Sequence, residues 1–425
     1  MKEKGLVKIP RIFLAPPLLT TLAPTDTFPR KDGDPDRQRS ASRVQKGGTL
    51  MRREDLRGTW AMQREAEWPS TQRDELVRQA LAYGLESADS IRDRSISLFE
   101  RGRNGYPGGC RFMGVPFLED MHTLGGQDVA IVGVPLDCGT TFRSGTRWGP
   151  QAIRRISLLG TGYNPSLGVD LVESLNMVDV GDVSVIPANI EKSFDQIAKA
   201  VSYVHERAVF PVILGGDHSI GYPDIRGLAP HVEGNIGIIH FDRHADISEF
   251  DMDERMHGTP WFHATNIPNA PPTNLVQIGV GGWTQPRDWY ANSRERRTTI
   301  LTMEDVDRYG IDRVAEYALE TAWKQAKCVF LSFDIDCLDP AFAPGTGTPE
   351  PGGFLPREVL RLLQLVAREG LVGMEVVEVS PPYDVAEITS LLASRLIMDV
   401  LGTLVLHRKL GRVPPREEVP PVQEA

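Results

Sequence analysis

The chain has 425 residues, a formal net charge of −10 and an apolar fraction of 41%. Its acidic balance and the lack of a basic stripe argue against a nucleic-acid-binding protein. Its four cysteines form no C-x-x-C pair, so we expect no disulfide framework and predict a cytoplasmic location. No uninterrupted apolar run reaches the roughly 18 residues that a bilayer requires, so no membrane span is predicted.

The two ends of the chain differ in composition from its centre. Residues 1–50 are rich in Pro, Arg, Asp, Ser and Thr and predict a disordered extension, with Met51 as an alternative start of the folded protein. Arg11 and the following prolines interrupt what would be the apolar part of a signal peptide. Charged, periodic sequence predicts one or two helices within 51–105, and proline-rich sequence predicts a loose tail at 413–425.

From Asp128 onward, apolar β-branched runs alternate with helical stretches. The runs are DVAIVGVP, VFPVILGGDHS, NIGIIHFDRHAD, LVQIGVGG, CVFLSFDIDCLDP and VGMEVVEVSP. This alternation predicts an α/β fold with a mainly parallel sheet and helices on both faces. Ligands bind beyond the carboxyl ends of such strands, so the polar residues that end these runs should gather at one edge of the sheet.

The segment HFDRHADI (240–247) follows one of these apolar runs. If the strand continues, the side chains of Asp242, His244 and Asp246 share one face and Arg243 points to the other. Two carboxylates and an imidazole on one side need a positive charge, and a divalent metal ion would supply it. A solvated strand end is the alternative for this segment alone.

Two further segments place ligand-type residues at strand ends. GGDHS delivers His218, which taken alone is more often a structural histidine, and SFDID delivers Asp334 and Asp336. The four carboxylates together carry a charge that two divalent cations would balance. Oxygen-rich ligands with some imidazole suit manganese (Mn²⁺), with nickel (Ni²⁺) or Co²⁺ as alternatives, and without a thiolate a structural zinc is not expected.

Five segments in order resemble the ureohydrolase family of arginases and agmatinases. They are GTTFRSGTRWGPQAIR, GGDHS, FDRHAD, SFDIDCLDPAFAPGTGTPEPGG and GMEVVEVSPPYD. The resemblance implies a catalytic domain over 106–412, a three-layer α/β/α arginase-like fold and two bound metal ions, Mn²⁺ or in some members Ni²⁺. It also implies hydrolysis of a small guanidino substrate to urea and an amine, and a homo-oligomer, trimeric or hexameric.

The resemblance assigns roles to particular residues. It implies that Glu378 receives the substrate guanidinium, since a carboxylate accepts paired hydrogen bonds from that group. It implies that His257 transfers a proton to the leaving amine, with a loop histidine of no catalytic role as the alternative. The metal ligands that it implies are His218, Asp242, His244, Asp246, Asp334 and Asp336.

Agmatinase-type activity is the leading expectation. A few departures from the family pattern leave other activities open. Arg243 stands where many members have a small residue, and Glu375 where an aspartate is common. Trp261 and Trp283 are similar to features of guanidine hydrolases, where aromatic rings can stack on a planar cation, although plain core packing is the commoner role of a tryptophan. The alternatives are a hydrolase of guanidine or guanidinobutyrate and a non-catalytic subunit, against which the intact ligand set argues.

Overall fold

The computed structural model of the protein describes residues 111–412, together with three short strands nearer the N-terminus. The chain divides into two compact units, Met1–Thr71 and Gln72–Ala425. In the first unit, β1 (Val44–Lys46) and β2 (Thr49–Met51) pair antiparallel. Apart from these strands and one at 99–100, the predictions for 1–50, 51–105 and 413–425 concern residues outside those described.

The second unit is built on a nine-stranded sheet. The remaining strands are, in chain order, β3 (Phe99–Glu100), β4 (Val129–Gly133), β5 (Tyr163–Asn164), β6 (Val169–Asp170), β7 (Met177–Val183), β8 (Phe210–Leu214), β9 (Asn235–Phe241), β10 (Leu275–Val280), β11 (Thr299–Thr302), β12 (Ala326–Asp334) and β13 (Gly373–Val377). The sheet order is β11-β10-β9-β12-β13-β8-β4-β7-β3, and β5 pairs only with β6. All neighbours in the large sheet are parallel except β3 and β7, which confirms the predicted mainly parallel sheet.

Helices cover both faces of this sheet. They are α1 (Gly149–Ser157), α2 (Leu171–Ser174), α3 (Ile190–Glu206), α4 (Gly221–Leu228), α5 (Pro260–Ala264), α6 (Arg287–Arg296), α7 (Met303–Tyr309), α8 (Ile311–Ala322), α9 (Pro356–Ala367) and α10 (Ile388–Leu406). Along β4, Val129 and Ile131 enter one apolar core with α1 and α7–α10, while Ala130 and Val132 enter the other with α3–α5. Burial on both faces explains the continuously apolar strands, and the three-layer α/β/α fold is confirmed.

Helix α10 is long and apolar enough to cross a bilayer by length and composition. The window that meets this test lies within Val385–Leu406, and 72% of it is buried inside the protein. The helix also contains Arg395 and Asp399, and it packs against α1 and α9. These features are typical of a core helix.

The predicted strand alternation in HFDRHADI is wrong, because β9 ends at Phe241. Beyond it the Asp242 side chain accepts a hydrogen bond from the His244 backbone N–H at 2.5 Å, and Asp246 has a left-handed φ of 44°. Similarly, β12 ends at Asp334, and Asp336 lies in a 3₁₀ turn. Side chains therefore converge through tight turns at the sheet edge rather than through a shared strand face.

A glycine on the next strand makes room for the turn after β9. Gly279 in β10 has φ 102°, and a Cβ there would lie 3.1 Å from the Asp242 carbonyl oxygen and 2.9 Å from the Phe354 ring. Only glycine takes this conformation at low cost and leaves that space free. The turn that carries Asp242, His244 and Asp246 therefore depends on a glycine in the neighbouring strand β10.

Candidate metal centre and active site

One group of buried donors surrounds His218, which lies in a 3₁₀ turn directly after β8. Its Nδ1 lies 3.0 Å from Asp242 Oδ2, 3.1 Å from Asp246 Oδ2 and 3.0 Å from Asp334 Oδ2. The other ring nitrogen, Nε2, lies 2.9 Å from Ser332 Oγ. A hydrogen bond to Nε2 leaves Nδ1 directed at the three carboxylates.

A second group surrounds His244. Its Nδ1 lies 3.2 Å from Asp242 Oδ1 and 3.0 Å from Asp336 Oδ2, and its Nε2 lies 3.0 Å from Thr284 Oγ1. Asp242 therefore offers Oδ2 to the His218 group and Oδ1 to the His244 group. Asp242 would thus be placed to help hold both ions of an adjacent pair.

The electrostatics of the cluster call for cations. Burial and the neighbouring Asp242 raise the pKa of Asp246 to about 7, and burial with Asp336 and Asp242 raises the pKa of Asp334 well above its usual range. Among residues 111–412, no lysine or arginine side chain forms an ion pair with the four carboxylates, and His218 Nδ1 has no hydrogen-bonding partner. Unpaired buried carboxylates are costly.

The donor set fits two divalent ions. It consists of carboxylate oxygens and imidazole nitrogens without a thiolate, a set that Mn²⁺ and Ni²⁺ accept. Donor separations of 3.0–3.2 Å are those of atoms that share one ion. The six residues that the sequence analysis named as ligands are brought together: His218, Asp242, His244, Asp246, Asp334 and Asp336.

The sequence analysis missed His240, which belongs to the same cluster of metal-capable groups. Its Nε2 lies 2.9 Å from Asp242 Oδ2, and its ring is fully buried. The signal was present, because His240 ends an apolar run and stands two residues before Asp242. The apolar neighbours of an imidazole in such a strand cannot satisfy its hydrogen bonds, so its presence indicates a specific partner elsewhere.

Glu378 lies beside the cluster, immediately after β13, with a left-handed φ of 63°. Its Oε1 accepts hydrogen bonds from the His218 backbone N–H at 2.8 Å and from His257 Nδ1 at 2.9 Å. Its Oε2 has no partner among the described residues. Gly347 faces this oxygen, since a Cβ there would lie 3.5 Å from Oε2. A buried carboxylate oxygen is thus left available to a ligand.

His257 lies between Glu378 and the loop that contains Thr141. The Thr141 backbone N–H donates to His257 Nε2 at 3.2 Å, and the Thr141 hydroxyl lies 2.7 Å from the same nitrogen. In the neutral ring Nε2 accepts from this backbone N–H, which can only donate, and Nδ1 carries the proton that bonds Glu378; in the protonated ring Nε2 donates to the Thr141 hydroxyl instead. Burial opposes the imidazolium, but the carboxylates of Glu378, Asp246 and Asp217 raise the pKa of His257 to about 9.

Arg243 neither enters the pocket nor meets a carboxylate among the described residues. Its side chain is buried, and its guanidinium donates to the Gly279 carbonyl at 2.8 Å and the Pro351 carbonyl at 3.0 Å. It therefore ties the end of β10 to the loop before α9. Of the Arg243 groups, the backbone N–H lies nearest to a predicted metal ligand, 3.4 Å from Asp336 Oδ1.

The two tryptophans have different surroundings. Trp261 is fully buried, with its ring 5.5 Å from the His218 ring and 4.9 Å from the His240 ring, so it packs behind the metal ligands. Trp283 is 98% exposed and precedes Thr284, the residue that bonds His244. Of the two, only Trp283 can meet a ligand that approaches from solvent.

Glu375 is buried behind the His218 ring, with its Oε1 4.0 Å from His218 Nε2. It faces Asp224, and burial with the Glu375 carboxylate raises the pKa of Asp224 well above its usual range. Because position 375 holds glutamate rather than the aspartate common in the family, a longer carboxyl side chain lies against the back of the His218 ring.

A buried, oxygen-rich pair of donor groups at the carboxyl edge of a parallel sheet defines a metal-dependent hydrolase site. The model of the Arginase family matches residues 127–402, and the chain belongs to this family. The chain is 34% identical over 300 residues to a guanidinobutyrase from Pseudomonas aeruginosa, covering 70% of this chain and 93% of the relative. It is 36% identical over 280 residues to an agmatinase from Proteus mirabilis, covering 64% of this chain and 86% of the relative.

Solved structures agree with this assignment. The proclavaminate amidino hydrolase from Streptomyces clavuligerus superposes with a TM-score of 0.65 at 34% identity, covering 71% of this chain and 99% of that one. The protein is therefore an amidinohydrolase that acts on a guanidino compound.

Proposed function

We propose that the protein hydrolyses an alkylguanidine to urea and an amine, as an agmatinase-type enzyme that uses two Mn²⁺ ions, with Ni²⁺ as the alternative metal. The observation that carries this proposal is Glu378 Oε2, which has no partner among the described residues and belongs to a carboxylate bonded by the His218 backbone N–H at the metal-binding groups. A planar guanidinium held there would present its carbon to the metal-binding groups. When bound, the two ions would lower the pKa of a water molecule and so supply a nucleophile at neutral pH.

The protein's own residues orient the substrate and move the proton. Glu378 accepts guanidinium N–H bonds through Oε2, while Oε1 is held by His218 and His257. His257, buried and bonded to Glu378, is placed to transfer a proton to the departing amine. Thr141 fixes the His257 ring from its solvent side.

A guanidino acid such as guanidinobutyrate is the second candidate substrate. Arg143, two residues from Thr141, stacks on the rings of Phe142 and Tyr383 at 5.3 and 5.0 Å and forms no ion pair among the described residues. A cation near the entrance favours a carboxylate-tailed substrate over the cationic tail of agmatine. The similarity to a guanidinobutyrase supports the same candidate.

Urea release separates these substrates. Metal-free protein loaded with Mn²⁺ or with Ni²⁺ would be offered agmatine, 4-guanidinobutyrate, guanidine and arginine at equal concentration. We expect urea from one of the first three and little from the others. The matched Asp246→Asn variant should release none, since it lacks one carboxylate of the metal-binding group. No urea from any guanidino compound with either metal would contradict the proposal.

We also propose that the chain is cytoplasmic and assembles as a homo-oligomer, trimeric or hexameric. The family resemblance supports the assembly, and the sparse cysteines support the location. Light scattering of the purified full chain and fractionation of the source cells test these two points.

A further inference from the structure

We propose that His240 is a positioning residue for the metal pair, which holds Asp242 by a hydrogen bond so that its two oxygens face different ions. His240 is not among the ligands that the sequence analysis named, and its role concerns the geometry of the pair. This inference rests on the metal pair of the proposed function and is independent of the substrate.

The hydrogen bonds around His240 fix which ring nitrogen donates. Nε2 lies 2.9 Å from Asp242 Oδ2, and an ionised carboxylate only accepts, so Nε2 carries the proton. Gln277 lies opposite His240 in the β9–β10 register, and its Nε2 is 3.2 Å from His240 Nδ1. The same amide also donates to the Ala245 carbonyl. The amide nitrogen therefore donates to Nδ1, and the tautomer is set.

Packing restricts the ring as tightly as the hydrogen bonds do. Trp261 lies 4.9 Å from the His240 ring and 5.5 Å from the His218 ring, and the two histidine rings are 4.9 Å apart in an edge-on arrangement. All three side chains are fully buried. His240 therefore cannot turn away from Asp242 without displacing the ring of a metal ligand.

The geometry favours a donor over a further metal ligand. His218 Nδ1 lies within 3.1 Å of oxygens from three different carboxylates, as expected of an atom that shares an ion with them. Of the carboxylates in the described part of the chain, only that of Asp242 lies within ion-pair distance of His240 Nε2. A hydrogen bond to one oxygen of a shared carboxylate restrains its rotation, and loss of such an outer partner weakens metal binding by about 10–100-fold.

The test measures metal binding directly. Calorimetric titration of metal-free full-length protein with Mn²⁺ gives stoichiometry and affinity, and electron paramagnetic resonance detects the exchange coupling of an adjacent manganese pair. If the wild-type protein bound fewer than two ions, the metal pair of the proposed function would be contradicted. That outcome can be distinguished from an effect of His240, which appears only in the variants. The variants are His240→Phe, which cannot donate, and His240→Asn, which keeps an N–H donor.

We expect His240→Phe to bind its weaker Mn²⁺ ion about 10–100-fold less tightly and to lose the coupled spectrum, and His240→Asn to retain coupling. His205→Phe is the control, because His205 is partly buried in the last turn of α3, before β8, and this variant should bind metal as wild type does. Unchanged affinity and coupling in His240→Phe would overturn the proposal. Equal loss in His240→Asn would also overturn it, since that result makes the imidazole a ligand.

Gln277→Met keeps the test decisive if His240→Phe does not fold. This variant preserves His240 but removes the amide that holds its Nδ1. We expect a weaker second Mn²⁺ site in the same direction as for His240→Phe, though smaller. Metal binding identical to wild type would count against the positioning role.

Discussion

Glu378 joins an unusual backbone conformation to the chemistry of the site. A left-handed φ of 63° at a residue other than glycine costs about 1–3 kcal/mol and persists only where the surroundings impose it. Here the Glu378 backbone N–H bonds the Gly216 carbonyl at 2.8 Å, and Oε1 is bonded by two donors. The strained backbone directs Oε2 toward the space beside the metal-binding groups.

Replacing Glu378 by glutamine tests its role in binding the guanidinium. The Glu378→Gln variant keeps the size of the side chain but loses the charge, and a charged hydrogen bond contributes about 1.5–3 kcal/mol. We expect kcat/KM for the preferred guanidino compound to fall by at least about tenfold while Mn²⁺ content stays at the wild-type level. Steady-state kinetics with metal analysis check this. An unchanged kcat/KM would place the guanidinium elsewhere.

Arg243 stands between two predicted metal ligands in the sequence, and its contacts indicate a role in stability. Arg243→Ala removes two charged hydrogen bonds and leaves the Gly279 and Pro351 carbonyls unsatisfied, so we expect a loss of about 2–4 kcal/mol of unfolding free energy. Metal content and the ratio of agmatine to guanidinobutyrate activity should not change. Arg243→Lys, which keeps a charge, should lose less. A changed substrate ratio at unchanged stability would show that the guanidinium reaches the pocket.

At the scale of elements, the turns after four neighbouring strands build the site. The alternation of apolar runs predicted β8, β9, β12 and β13, because strands buried on both faces are apolar throughout. The grouping of ligands at one edge was predicted for the same reason, since parallel strands end together. The turn after β9 could not be predicted, because an aspartate such as Asp246 is compatible with both an extended backbone and a positive φ.

The sequence also left the substrate tail undetermined, and the reason is structural. Thr141 and Arg143 belong to one loop at the sheet edge, and Trp283, Gly347 and Tyr383 belong to three others. Their relative positions depend on long-range packing rather than on local pattern. Recognition of the tail is therefore a property of several loops together.

One buried ion-pair network joins α1 to β7. Arg154 binds both oxygens of Asp179, at 2.8 and 3.0 Å, and Oδ1 of Asp182 at 2.5 Å. The two carboxylates together raise the pKa of Arg154 despite its burial. Removing the Arg154 guanidinium would leave the carboxylates of Asp179 and Asp182 without their cationic partner.

Arg154→Met should therefore lower the free energy of unfolding by about 3–5 kcal/mol, measured by urea denaturation. The matched control is Arg313→Met, which removes an exposed ion pair to Glu316 and should leave the free energy of unfolding close to that of the wild type. Similar losses in the two variants would indicate that the buried network contributes no more than a surface pair.

At the scale of the whole molecule, the three-layer fold concentrates negative charge at one edge of its sheet. The four carboxylates and two histidines come from three segments spread along the chain, and the folded chain brings them within hydrogen-bonding distance. Such a site depends on cations to neutralise it, so metal binding and catalysis should be inseparable in this protein.

The most direct test of this account is a Mn²⁺ titration of the metal-free full-length protein, with urea release from its preferred guanidino compound measured at each step. The account predicts no turnover without metal and a rate that saturates at two ions per chain. Asp242→Asn, which removes an oxygen from the shared carboxylate, should not reach this plateau. Full turnover in excess chelator, or saturation without bound metal, would contradict the two-metal site.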